Sequence, residues 1–147
     1  MTRPGTQAYF TPELFKFLRQ LHQNNERVWF NEHKERYIDV VREPLLPFIS
    51  DFGPRLARIS PQFVADPRPQ GGSMFRIYRD TRFSKDKTPY KTAATARFPH
   101  RRGKDVHTPG FYLHLGLDGV FAGSGIWRPD SASLASIRTA IVERPKD

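Results

Sequence analysis

The sequence predicts an α+β domain: an antiparallel β-sheet backed by N-terminal helices, with one closing helix. Three observations lead there. Apolar residues recur at helical spacing up to Ile59, the period changes to two after Gly71-Gly72, and Asp118-Gly119 sits between two alternating apolar runs. At 147 residues the chain is long enough for one ordinary core and short for two. Residues 9–147 are therefore assigned to a single domain, preceded by a loose tail at 1–8.

Thr11-Pro12-Glu13 supplies an N-cap, a proline at the first helical position and an acid in the first turn, and Leu14, Leu18 and Leu21 follow at helical spacing. Asn24-Asn25 stops that helix. A second helix is expected to carry Trp29, Phe30, His33, Tyr37 and Val40 or Val41, ending before Glu43-Pro44 because the residue before proline is pushed out of the helical region. Pro44 and Pro47 suit the first turn of a third helix with Leu45, Phe48, Ile49 and Phe52 on its apolar face, which Gly53-Pro54 kinks or breaks. Beyond Gly71-Gly72, Phe75 and Ile77 are expected on one strand face with Arg76 and Tyr78 on the other. A further strand alternates Ala94, Ala96 and Phe98 with Thr95 and Arg97. The clearest element is a hairpin turning at Asp118-Gly119, both residues at positive φ. In that register Leu117 opposes Val120 and Leu113 opposes Ser124. Phe111, Leu113, Leu115, Leu117, Val120, Ala122 and Ile126 then form the core face. On the other face Tyr112 meets Gly125, His114 meets Gly123 and Phe121 meets Gly116. Pro129-Asp130 caps the closing helix through Leu134, Ile137 and Ile141.

Charge is unevenly spread. Arg76 to Lys104 holds ten Lys and Arg against two Asp, a net +8 of the chain's +9. Such a concentration of cations repels itself, and an anionic partner is the natural reason to keep it. Arg76, Arg79, Arg82, Lys85, Lys87 and Lys91 provide forks and point charges suited to phosphate oxygens, interleaved with the aromatic Tyr78. Tyr112, His114 and Trp127 can wall a shallow cleft floored by Gly123 and Gly125. Asp80 and Asp86 either orient the neighbouring cations or, in an enzyme, join His107 and His114 as acid-base groups or ligands of a divalent metal. Gly71-Gly72-Ser73 reads as a turn or a backbone nest. His107 and His114 lack a third ligand, so no metal is assigned, and no cofactor signature is present. The absence of Cys excludes disulfides, thiolate zinc sites and a Cys nucleophile. No apolar run approaches the about eighteen residues that span a bilayer, and the N-terminus lacks the apolar core of a signal peptide, so the expected location is cytoplasmic.

Asn24-Asn-Glu-Arg-Val-Trp-Phe30 with Lys34 and Tyr37, Gly71-Gly-Ser-Met-Phe-Arg-Ile-Tyr-Arg-Asp80, Arg82-Phe-Ser-Lys-Asp-Lys-Thr-Pro-Tyr-Lys91 and His107-Thr-Pro-Gly-Phe-Tyr112 together resemble a family of conserved hypothetical proteins of bacteria and fungi, a domain of unknown function. The resemblance runs from about Tyr9 to Asp147. It implies a further, largely helical segment beyond the closing helix, and it carries no activity, cofactor or catalytic residue. The function expected from the residues is binding of an anionic, phosphate-bearing ligand, nucleotide-like or nucleic acid. The alternatives are an enzyme on a phosphorylated or acidic substrate and an interaction module for an acidic protein.

Overall fold

The structure, a computed structural model, describes residues 8–103 and 108–146. It is an α+β fold with helices packed on one face of a three-stranded antiparallel sheet and a further helix at the C-terminal end. Helix α1 (Pro12–Gln23) begins as its proline and Glu13 require, with Thr11 extended, and buries Leu14, Phe17, Leu18 and Leu21. Helix α2 (Arg27–Glu32) is shorter than its apolar spacing suggests. His33 ends it by stacking on Trp29 with ring centroids 4.1 Å apart, its Nδ1 2.8 Å from the Trp29 carbonyl. Helix α3 (Lys34–Tyr37) then runs through a π-helical turn at Ile38–Arg42 into α4 (Glu43–Ile59).

The helix break expected before Pro44 is therefore absent. Glu43 stays helical, at φ −63° and ψ −33°. Pro44 cannot donate to the carbonyl of residue 40, and its ring would crowd a normal turn; the wider π turn immediately before it relieves both problems while the chain continues. Pro47 and Pro54 also lie inside α4, whose buried face is Leu45, Ile49 and Leu56.

Strands β1 (Ala93–Pro99), β2 (Gly110–Gly116) and β3 (Gly119–Gly125) form the sheet in that order. β1 lies innermost, with Ala94, Ala96 and Phe98 against the helices. Its free edge is covered by two short segments. Met74 bridges Ala96, Phe63 bridges His100, and Val64 donates to the Pro99 carbonyl at 3.0 Å. The Phe75 to Tyr78 alternation is interrupted: Met74 and Ile77 are the core residues, while Phe75 lies 6.5 Å from the Tyr112 ring on the opposite face.

The β2–β3 hairpin exists, and its faces alternate as expected, but its register is shifted by two residues. Leu113 pairs with Ala122, Tyr112 with Gly123 and His114 with Phe121, and Gly116 and Gly119 close the ladder around Leu117-Asp118. Only Gly119 of the expected turn pair has positive φ, +152°. Asp118 instead becomes the second residue of the Leu117-Asp118 turn, where His114 Nε2 lies 2.8 Å from its Oδ1. The displaced register leaves Leu117 exposed in the turn. Leu115 is buried, with Phe111 and Leu113 packed against the core, but Val120 is 61% exposed because the helices do not reach as far as β3. Helix α5 (Ser131–Glu143) is capped by Asp130, whose Oδ1 accepts from the Ser133 amide at 2.6 Å, and buries no residue.

Candidate functional site

The basic segment folds as an irregular hairpin on the free edge of β1. Arg79 donates to the Pro89 carbonyl and Lys91 to the Ile77 carbonyl, both at 2.8 Å, with Tyr78 bridging Tyr90. Between them runs a loop stiffened by two aspartates used alike. Asp80 accepts the Arg82 amide at 3.2 Å and grips its guanidinium through Nε at 2.9 Å and Nη2 at 2.7 Å. Asp86 accepts the Thr88 amide at 2.9 Å and hydroxyl at 2.8 Å, and its other oxygen takes Arg79 Nη1 at 2.6 Å. An aspartate bonding to the backbone two residues on is a turn-forming device, and here each also holds an arginine. The Arg82 side chain is the largest influence holding Asp80 at a pKa of about 2, and the Thr88 amide is the largest holding Asp86 at about 2.

With Arg79 and Arg82 occupied, the remaining cations differ in their surroundings. Lys87 Nζ reaches across the loop to the Thr81 carbonyl at 2.8 Å. Lys91 Nζ lies 2.9 Å from the Arg76 carbonyl and 5.2 Å from the centre of the Phe75 ring, where burial and then the Arg76 charge push its pKa down. Among the described residues no carboxylate pairs with Arg76, Lys85, Lys87 or Lys91. At the tip Phe83 is 96% exposed, with the Arg82 guanidinium 5.7 Å from its ring. Tyr78 is 47% exposed and belongs to the hairpin base, 6.1 Å from Phe30.

Asn25 anchors this hairpin to the helices. Its Nδ2 donates to the Tyr90 carbonyl at 2.9 Å and its Oδ1 accepts the Tyr90 amide at 3.0 Å, so one side chain pairs with Tyr90 as a neighbouring strand would. Tyr90 is buried and stacks on Phe30, centroids 4.1 Å apart. A half-open cleft of about 410 Å³ lies at this junction, lined by His22, Asn25, Arg79, Asp86, Thr88, Tyr90, Lys91 and Thr92. A wider hollow of about 510 Å³ at the start of α1 is lined by Glu13, Lys16 and Arg19, with Lys16 3.5 Å from Glu13. Gly71-Gly72-Ser73 serves structure: Gly71 has φ +72°, and the Ser73 amide and hydroxyl both bond the Asp66 backbone at 2.8 Å.

The outer face of the sheet carries a second constellation. Tyr112 Oη lies 3.0 Å from His114 Nδ1, and His114 Nε2 lies 2.8 Å from Asp118 Oδ1. Burial pushes the Tyr112 hydroxyl above its usual pKa, with the neighbouring Thr95 side chain pulling the other way, and the His114 bond holds Asp118 below the usual carboxylate range. Phe121 stacks on His114 at 4.6 Å and 12°. Trp127 follows β3, 64% exposed, with the Arg128 guanidinium 5.6 Å from its ring. His107 lies outside the described residues. Among the described residues no group of three or more His, Asp or Glu is placed to hold a metal, and no helix is long and apolar enough to cross a membrane.

Sequence reasoning named Tyr112 and His114 but missed Asp118, Thr95, Asn25 and Phe83. Asp118 was signalled by its spacing, four residues after His114 across a tight turn. Phe83 was signalled by its place among cations. Asn25 had no local signal, because Tyr90 is 65 positions away. Neither a curated protein nor a solved structure matches the chain. One family model does, over residues 13–147, and with that span of the sequence matched the chain belongs to the conserved hypothetical protein family DUF2461.

Proposed function

We propose that the hairpin from Arg76 to Lys91 binds a phosphate-bearing ligand of the nucleotide or nucleic-acid class, with a cytoplasmic setting as the natural one. The observation that carries this reading is Phe83, 96% exposed at the tip of a loop whose cations outnumber its carboxylates. An exposed ring costs solubility and contributes nothing to the core. Beside Arg82, Lys85 and Lys87 it suits a base or other flat group stacked on the ring while the cations take the phosphates. Asp80 and Asp86 support the reading by holding the loop in one shape, which lowers the ordering cost of binding.

The test is fluorescence anisotropy with labelled single-stranded DNA and RNA across a salt series. Three or more engaged cations give a log-log slope steeper than roughly −2. Phe83→Ala should weaken binding about tenfold, and Lys85→Gln with Lys87→Gln should flatten the slope. Absence of binding at low salt to oligonucleotides and nucleotides alike overturns the proposal.

A further inference from the structure

The geometry points to a proton relay on the outer face of the sheet, running from the Tyr112 hydroxyl through His114 to Asp118, with its open end beside Gly123 and suited to a hydroxyl-bearing ligand. Strand alternation puts Tyr112 and His114 on one face two residues apart, and the Leu117-Asp118 turn brings the carboxylate to the far side of the imidazole. A neutral imidazole has one donor and one acceptor nitrogen. Asp118 accepts from Nε2, so Nδ1 accepts, and the Tyr112 hydroxyl is the donor. Its proton is directed at His114, which pairs with Thr95 of β1 across the strands. The His114 contact gives the phenolic proton somewhere to go.

The arrangement is built into the fold. Gly116 lies under the His114 to Asp118 bond, and a Cβ there would collide with both His114 Nε2 and Asp118 Oδ1. Phe121 covers the imidazole, leaving the His114 side chain 13% exposed. The other end is open: Gly123 pairs with Tyr112 across the strands, and a Cβ on Gly123 would meet nothing within 4 Å. Arg97 pairs with Tyr112 on the other side, and Phe75, with Lys91 over its ring, lies 6.5 Å from the Tyr112 ring. A ligand seated over Gly123 thus meets a phenolic oxygen with cations on the flank.

The step conserves its proton. The ligand hydroxyl gives its proton to the Tyr112 oxygen as the Tyr112 proton passes to His114 Nδ1, leaving an alkoxide on the ligand and an imidazolium held by Asp118. Tyr112 is the residue that touches the ligand; His114 and Asp118 act through it. The three relay residues lie outside the basic hairpin, which contributes only Lys91 at the flank, so the relay does not rest on the hairpin's binding phosphate.

A relay of this kind raises the nucleophilicity of Tyr112 even without its ligand, which a structural rivet does not do. The experiment is acylation of the intact chain by N-acetylimidazole at pH 7.5, with each tyrosine followed by peptide mass spectrometry. Tyr112 should react at least about tenfold faster than the more exposed Tyr78, in line with general-base assistance of two orders of magnitude or more. His114→Gln should bring Tyr112 to or below the Tyr78 rate, and Asp118→Asn should lower it several-fold. Asp118 lies at the exposed turn, so its variant should fold even where His114→Gln does not. Nitrogen-15 NMR of His114 at pH 8 should show the Nε2-protonated tautomer. Tyr112 reacting no faster than Tyr78, a rate unchanged by Asp118→Asn in folded protein, or the Nδ1-protonated tautomer would each overturn the relay.

Discussion

Replacing Asn25 by Ala removes the clamp that joins the basic hairpin to the helices. Tyr90 is 3% exposed, so its amide and carbonyl have little access to replacement water once the Asn25 side chain is gone. A buried backbone group left without a partner costs about 1–3 kcal/mol, and two are orphaned here. Asn25 is itself half-buried, and some water will enter, which brings the expected loss to about 3 kcal/mol. For a domain of this size that lowers Tm by roughly 6–12 °C. Asn25→Asp is expected to be no better, because it keeps the acceptor for the Tyr90 amide but turns a carboxylate towards the Tyr90 carbonyl. Asn24→Ala is the control: the Asn24 side chain donates to the Gln20 carbonyl at the end of α1, at 3.0 Å, and its loss should cost about 1 kcal/mol. Urea and thermal unfolding followed by circular dichroism give the energies, and hydrogen exchange reports on the Tyr90 amide directly. An Asn25→Ala protein within about 0.5 kcal/mol of wild type, or a Tyr90 amide that exchanges at loop rates in wild type, would refute the reasoning.

Carbon-13 titration of the carboxylates should find Asp80 and Asp86 with midpoints near 2. Because both folded values lie below the unfolded one, their contribution to stability is present above about pH 4 and is lost as pH falls through about 2. Arg82→Gln should move Asp80 up strongly, whereas Arg79→Gln should move Asp86 only partly, since the Thr88 amide remains. At Gly72 a Cβ would lie 2.5 Å from the Arg68 carbonyl oxygen and 2.6 Å from that of Asp66, so Gly72→Ala should cost more than about 3 kcal/mol by unfolding titration. Gly71→Ala, at φ +72° in open space, should cost only about 1–2 kcal/mol, and the reverse order would contradict the backbone path drawn here.

The helical half was legible where local rules acted alone. Pro12 at the first turn and the Leu14, Leu18 and Leu21 spacing determine α1 without help from the rest of the chain. Pro44 misled because a π turn upstream can absorb a proline, and nothing in the local pattern distinguishes that outcome from a break. The β2–β3 hairpin was legible in its faces but not its register: Asp-Gly is a strong turn signal, yet a two-residue shift preserves every face and lets Asp118 reach His114. In the candidate site the charge concentration was visible from residue counts. The pairing of Arg79 with Asp86 and Arg82 with Asp80 depends on how the loop closes, and the Asn25 contact depends on how the hairpin docks. Both are tertiary facts.

The sheet finishes unevenly. β1 is sealed along its free edge by the short stretches around Phe63 and Met74, whereas no described residue hydrogen-bonds along the outer edge of β3. Proteins commonly make such margins unwelcoming with lysines, prolines or bulges. Gly119–Gly125 contains no charged residue and no proline, and with three glycines it offers little bulk to hold another backbone at a distance. Growth of this sheet therefore has a direction: an incoming strand finds its hydrogen-bonding partners beside Ala122, on the flank away from the helices.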